Sequence, residues 1–252
     1  VMPGWPKLVN QVIIIASCAL TGGLVAMIPA FGRERLGASE TVTSITLNMV
    51  CVYITMAIIR STIADRSNSY IVTPKYPDTM RFTRYWGNTN LSEGIWVAVI
   101  GFIIACIIYY RTKMGAEIRI TGANPSFARY AGINTKITPF IGQVLGGLFA
   151  GVASSVENFG AYNQYQMSTL TNIGMDGLII AVMAKKHPIF VPVTAFVLAY
   201  IRTAASVLNT NTNIPIELVT MLQAVIIFFV AAENFLGKSR QRTIMKAARE
   251  QA

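Results

Sequence analysis

The stretch Ile95-Trp-Val-Ala-Val-Ile-Gly-Phe-Ile-Ile-Ala-Cys-Ile-Ile-Tyr-Tyr110 contains no charged side chain, with Trp96 near one end and the Tyr109–Tyr110 pair at the other. It shows neither the 3.6-residue polar stripe of a surface helix nor the alternation of a half-buried strand. An apolar run close to the ~20 residues needed to cross a hydrocarbon core, bordered by Trp and Tyr, predicts a membrane-spanning helix. Outward from it the pattern repeats: residues 8–31, 41–59, 137–156, 188–207 and 216–236 are further apolar blocks of spanning length. A segment at 174–184 is equally apolar but too short to cross, which predicts a half-helix or re-entrant element. The expected fold is therefore all-α: a polytopic membrane domain over residues 1–236, followed by a basic cytoplasmic tail at 237–252.

Composition agrees. The chain is 53% hydrophobic and 13% charged, where a soluble domain carries about 25% charged residues. The net charge of +10 points to membrane orientation and not to nucleic acid, because the basic residues flank the apolar blocks. If the Arg33 loop, the 111–136 loop, the Lys185 turn and the tail are cytoplasmic, they hold 14 of the 21 Lys and Arg residues, as the positive-inside rule requires. The polar stretch 60–93, with Pro74 and Pro77, then lies outside. Cys18, Cys51 and Cys106 all fall within apolar blocks without metal-ligand spacing and read as small hydrophobic groups. The chain opens on Val1 with no signal peptide, so an N-terminal part is expected to precede it.

Small residues and caps give local detail. Ser39 and Glu40 stand where a helix N-cap and a first-turn acid belong. Gly142, Gly146, Gly147 and Gly151 form small-xxx-small pairs, which let helix backbones approach closely in lipid. In the loop after the third block, Thr121-Gly-Ala-Asn-Pro-Ser-Phe-Ala-Arg-Tyr-Ala-Gly-Ile133 has Asn124 as N-cap, Pro125 at the first helical position and Gly132 at the C-terminal left-handed position. This predicts a helix of about two turns, too short to be stable alone, with Phe127 and Tyr130 on one face. Physical reasoning leaves two uses open: docking on a partner, or lying on lipid headgroups.

Polar groups at membrane depth are costly and are functional candidates. Asn48 sits mid-block, Glu157 and Asn158 close the fourth block, and Asp176 opens the half-helix, where the helix N-terminus favours its charge. For each, the plain reading is an interhelical hydrogen bond. Arg202 and Glu233 lie near span ends and are expected to snorkel. Residues 232–239, Ala-Glu-Asn-Phe-Leu-Gly-Lys-Ser, imitate a phosphate-binding loop but end a span and lack the first glycine, so the match is refused. His187 is the only histidine; no histidine-pair metal site and no catalytic constellation is available, and no cofactor is called for.

The stretch from Gly122 to Ile133, together with Gly142–Gly151, resembles the permease family of ABC importers for simple sugars and nucleosides. The residues that carry the resemblance there are Gly122, Asn124, Pro125, Ala128, Arg129, Tyr130, Gly132 and Ile133. Further matches are Gly174-Met-Asp-Gly-Leu-Ile-Ile-Ala181, Pro188, Ile214-Pro-Ile-Glu-Leu218, Gln223 and Glu40-Thr-Val-Thr-Ser-Ile-Thr-Leu-Asn48. The family's earlier spans and its Asn-Ile-Gly…Gly-Gln motif do not appear ahead of this region.

The resemblance implies that the short helix is a coupling helix inserting into a separate ATP-hydrolysing subunit, with Asn124, Pro125, Phe127, Ala128, Arg129, Tyr130 and Gly132 as its residues. It also implies a second permease subunit, homologous or identical, a substrate-binding protein, a bacterial plasma-membrane location and no catalysis by this chain. The expected substrate path uses Asn48, Glu157, Asn158 and Asp176. The 40–48 and 122–133 stretches look more like the nucleoside branch than the ribose-type branch; simple sugars are the alternative. From other classes, an ion-coupled secondary transporter and a membrane-embedded enzyme are weaker readings.

Overall fold

The computed structural model describes residues 6–64, 72–85, 91–166, 173–211 and 221. The expected span at 216–236, of which only Met221 is described, and the tail at 237–252 lie outside the described residues, as do the 214–218, Gln223 and 232–239 motifs. The elements are α1 (Lys7–Leu36), α2 (Glu40–Ile58) with a π-turn (Ile59–Ile63), α3 (Gly94–Arg111), α4 (Lys113–Ala123), α5 (Pro125–Tyr130), α6 (Ile137–Gly160), α7 (Ile173–Met183) and α8 (Val191–Asn211). Among the described residues there is no strand, and one isolated bridge joins Arg84 to Ser92. Among the described residues five helices are long and apolar enough to cross a membrane, while α7 is a shorter apolar helix of 11 residues. The spans present side chains such as Leu20, Leu24, Tyr53, Ile100 and Ile104 outward, the surface that lipid solvates.

The chain divides into two compact units, Val1–Thr171 and Asn172–Ala252. In the first, α1 and α6 form the most extensive helix pair, with α2 packed on α1, and α3 and α4 packed on α6. The pair is antiparallel and sealed by small residues. A Cβ on Gly151 would fall within 3.0 Å of the Cys18 carbonyl, and one on Gly147 within 3.0 Å of the Gly22 carbonyl. Of the glycines expected to pack, Gly147 and Gly151 therefore do so, against Gly22. Gly146 faces open space, and a Cβ on Gly142 would meet only the tip of Ile118.

Local chemistry sets the helix ends. Gly37 ends α1 at φ +64°, a conformation that costs glycine little. Ser39 holds the N-cap position of α2 but makes no side-chain cap bond; Glu40 pairs instead with Arg33 across the α1–α2 turn. Pro29, inside α1, lacks an N–H and so leaves the carbonyl one turn earlier without its helical partner. The 111–136 loop is more ordered than its mixed polarity suggests. Thr112 Oγ1 accepts from Gly115 N at 3.1 Å and starts α4, and Arg119 of α4 lies over the Tyr109 and Tyr110 rings at 5.2 and 5.5 Å. Two glycines and three charges within 11 residues hid this helix from a periodicity reading.

At the opposite end of the first unit, the described parts of the 60–93 stretch fold over α6. Phe82 N donates to Phe159 O at 3.1 Å, Tyr76 N to Asn163 O at 2.9 Å and Thr73 N to Tyr165 O at 3.2 Å. Glu93 accepts from Thr83 N, Thr83 Oγ1 and Lys7 Nζ. Partial burial would raise its carboxyl, but these bonds outweigh it and hold the group below its ordinary value. In the second unit, α7 ends in a tight basic turn where Lys185 and Lys186 take φ of +50° and +61°. The short turn Pro188–Phe190 then leads into α8.

Candidate functional site

Two features of the first unit are candidates for function: the short helix α5 and a cleft among the spans. α5 runs from Pro125 to Tyr130, and the Asn124 side-chain oxygen accepts from Ser126 N at 3.0 Å and Phe127 N at 3.1 Å. At its end Ile133 N donates to Ala128 O at 2.9 Å, with Gly132 at φ +78°. Both caps lie where the sequence puts them. The helix is anchored by Ala128, which is fully buried, while Phe127 is 60% and Tyr130 93% exposed. Large aromatic side chains thus project on one side and the small residue seats the helix on the other. Ala128 consequently supports the helix from within the chain and offers no surface to a partner. Arg129 lies in the last turn, and a cation there suits the partial negative charge of a helix C-terminus.

The cleft has a volume of about 650 Å³ and is walled by α1, α2 and α6. That size lies within the range of small-molecule sites, roughly 300–1,000 Å³. Its polar lining comprises Thr21 from α1, Ser44, Asn48 and Thr55 from α2, and Gln143 and Ser154 from α6. Cys18 and Cys51 face it from α1 and α2, and among the described residues no charged one lines it. Pro29 and Val25 are also in the wall. Such a lining can donate and accept hydrogen bonds without offering a counter-charge.

Of the residues expected on a substrate path, Asn48 lines this cleft. Asn158 lies one turn beyond it, its Nδ2 donating to Ser154 O at 3.0 Å and Ser154 Oγ at 3.3 Å. The Asn158 Oδ1 is buried without a partner among the described residues, as are both amide atoms of Asn10. The antiparallel register that sets Cys18 against Gly151 brings Asn10 close to the level of Asn158. Buried polar atoms left unpaired cost about 1–3 kcal/mol each, so this end of the α1–α6 seam is its polar end. Glu157 is half-buried and does not line the cleft.

Asp176 belongs to the second unit. There its carboxylate is held by the Arg202 guanidinium of α8, with the aspartate side chain 13% exposed. Arg202, expected to snorkel, turns to this partner instead. Thr21, Ser44, Thr55, Gln143 and Ser154 were missed by the sequence reading. Their signal is spacing: 44, 48, 51 and 55 on α2, and 143, 147, 151 and 154 on α6, recur every three to four residues and so form single stripes.

A mostly apolar, uncharged cleft with stripes of polar groups, set among apolar helices of spanning length, is the architecture of an integral membrane protein. The chain belongs to the family described as branched-chain amino acid transport system / permease component, which matches it over residues 4–231. It is 30% identical over 240 residues to the nucleoside ABC transporter permease protein NupB of Lactococcus lactis, covering 92% of this chain and 66% of that protein. It is 25% identical to the guanosine ABC transporter permease protein NupP of Bacillus subtilis, over 90% of this chain and 66% of that protein. A glucose ABC transporter permease of Haloferax volcanii is 22% identical, over 90% and 62%. The chain thus spans just under two thirds of the length of these relatives. No solved structure matches it significantly.

Proposed function

We propose that this chain is the membrane-spanning permease subunit of an ATP-driven importer of nucleosides, working with a separate ATP-hydrolysing subunit, a second permease subunit and a substrate-binding protein. The observation that carries this reading is α5: a six-residue helix, capped at both ends, with Phe127 and Tyr130 projecting from the basic end of the bundle. A helix this short is unstable alone, yet here it is capped at both ends and seated on Ala128 with its aromatic side chains outward, as a docking element requires. The positive-inside rule puts that end in the cytoplasm, where ATP is available. Movement of α5 by the ATPase would be passed through α4, which packs on α3 and α6, to the wall of the cleft.

The cleft supports the choice of solute. A zwitterionic amino acid would leave an ammonium and a carboxylate unpaired against a lining without charged residues, at several kcal/mol per ion. A nucleoside presents hydroxyls and base edges, which Thr21, Ser44, Asn48 and Gln143 can satisfy. The two relatives named as nucleoside and guanosine permeases support the same choice. Simple sugars fit the same lining, and one relative is named for glucose.

Uptake of labelled guanosine, uridine, ribose and leucine by cells with and without the gene tests the reading. Deletion is expected to abolish nucleoside uptake and spare leucine. Loss of ribose uptake alone would replace nucleosides by sugars, and failure of any ATPase subunit to co-purify would favour an ion-coupled carrier. In the intact importer, Asn124→Ala removes the cap, worth about 1 kcal/mol, and is expected to lower transport roughly fivefold; Asn124→Asp should restore it.

A further inference from the structure

At the basic end of the first unit, two neighbouring cavities open between the last turn of α1 and the first turn of α6. One is about 220 Å³ and the other about 530 Å³, and Glu34, Lys136 and Phe140 line both. The smaller adds Arg33, Thr135 and an apolar wall of Ala30 and Pro139; the larger adds Arg35, Phe31 and Asn134. The cations are unequal. Arg33 is bound to Glu40, which neutralises it. Arg35 lies over the Phe31 ring at 5.7 Å, and neither it nor Lys136 has a carboxylate partner among the described residues. Among the described residues Glu34 is the only carboxylate in either lining, so the pair of cavities retains a positive surplus.

We propose that these cavities bind the headgroup of an anionic phospholipid of the cytoplasmic leaflet, its phosphate held by Arg35 and Lys136. Three features carry this together. The walls come from the ends of two spanning helices, so the cavities lie where the helices leave the hydrocarbon. They combine apolar and basic groups: Phe31, which is exposed, Pro139 and Phe140 suit glycerol and acyl carbons, while the cations and the Thr135 hydroxyl suit phosphate. Basic pockets between spans on the cytoplasmic side are suited to lipid headgroups. The first N–H groups at α6 are already taken by the Asn134 side chain, at 3.1 Å to Lys136 N and 3.2 Å to Ile137 N. The side chains, not the helix end, therefore provide the attraction. The inference does not depend on which solute is carried.

Native mass spectrometry of the intact protein in mild detergent, titrated with phosphatidylglycerol or phosphatidylcholine, tests it. The wild type is expected to retain phosphatidylglycerol in preference. Arg35→Gln with Lys136→Gln should weaken that binding about 25-fold, fivefold for each charge removed. Arg35→Lys with Lys136→Arg should keep it, which separates lost charge from lost folding. Equal affinity for the two lipids, or an undiminished preference in the neutral double variant, overturns the proposal. Displacement of the lipid by millimolar inorganic phosphate assigns the cavities to a free anion and overturns it too. So does loss of the ATPase subunit from the neutral variant with lipid preference intact, which makes them a protein contact.

Discussion

A guanidinium placed singly in a membrane-spanning helix costs about 2.5–3.5 kcal/mol even on insertion scales, and Arg202 reduces that cost by meeting Asp176 of the shorter α7. Asp176 sits in the first turn of α7 and Arg202 in the middle of α8, 26 residues later. Removing one partner strands the other, whereas removing both leaves two neutral side chains. Asp176→Asn and Arg202→Gln are each expected to destabilise the protein, with the double variant more stable than either. Thermal unfolding in detergent measures this, and additive single effects would show that the pair does not act as a unit. Uptake by the double variant then tells whether Asp176 serves the solute directly: full activity would remove it from the path.

At the scale of elements, the α1–α6 seam depends on what its glycines lack. Gly22, Gly147 and Gly151 bring backbone against backbone, and in lipid such packing replaces the hydrophobic effect as the force between helices. Gly151→Val places its Cβ on the Cys18 carbonyl and must push the helices apart. Expression and thermal stability are expected to fall sharply, while Gly146→Ala, in open space, should leave both near wild type. Equal tolerance of the two changes would mean that the seam is not the core of the unit. The same helices carry the cleft stripe on their adjoining face, so a loosened seam should also enlarge or collapse the cleft.

For the whole molecule, the cleft is the feature that joins separate stretches of chain into one site. Cys18 and Cys51 face it from α1 and α2, whereas Cys106 on α3 lies outside its lining. Single-cysteine variants treated with a small hydrophilic alkylating reagent are therefore expected to react at Cys18 and Cys51, and a nucleoside at saturating concentration should protect both. Cys106 is expected to show no protection. Protection of Cys106 alone, or of none, would place the solute elsewhere. The same experiment separates solute classes, because leucine should fail to protect where guanosine succeeds.

Much of this architecture follows from linear sequence. Apolar runs of spanning length determine which segments cross, because lipid leaves backbone polar groups no partner outside their own helix. The block at 95–110 and the observed α3 differ by a single residue at each end. Caps are equally local: Asn124, Pro125 and Gly132 act within a few residues of themselves, so the short helix was readable in full. Asn48 was identifiable as a polar group at depth. What tertiary structure alone decided is which polar groups share a space. Gln143 and Ser154 join Thr21 only because Gly22 meets Gly147 and Gly151 across a seam more than 120 residues apart in the chain, and Asn48 joins them because α2 packs on α1. Likewise Arg202 reads as a residue near a span end until folding of the second unit brings it onto Asp176. Span length depends on the solvent around each helix, and the lipid core is the same everywhere. A site depends on register and rotation between helices, which are set by side-chain contacts that no local pattern records.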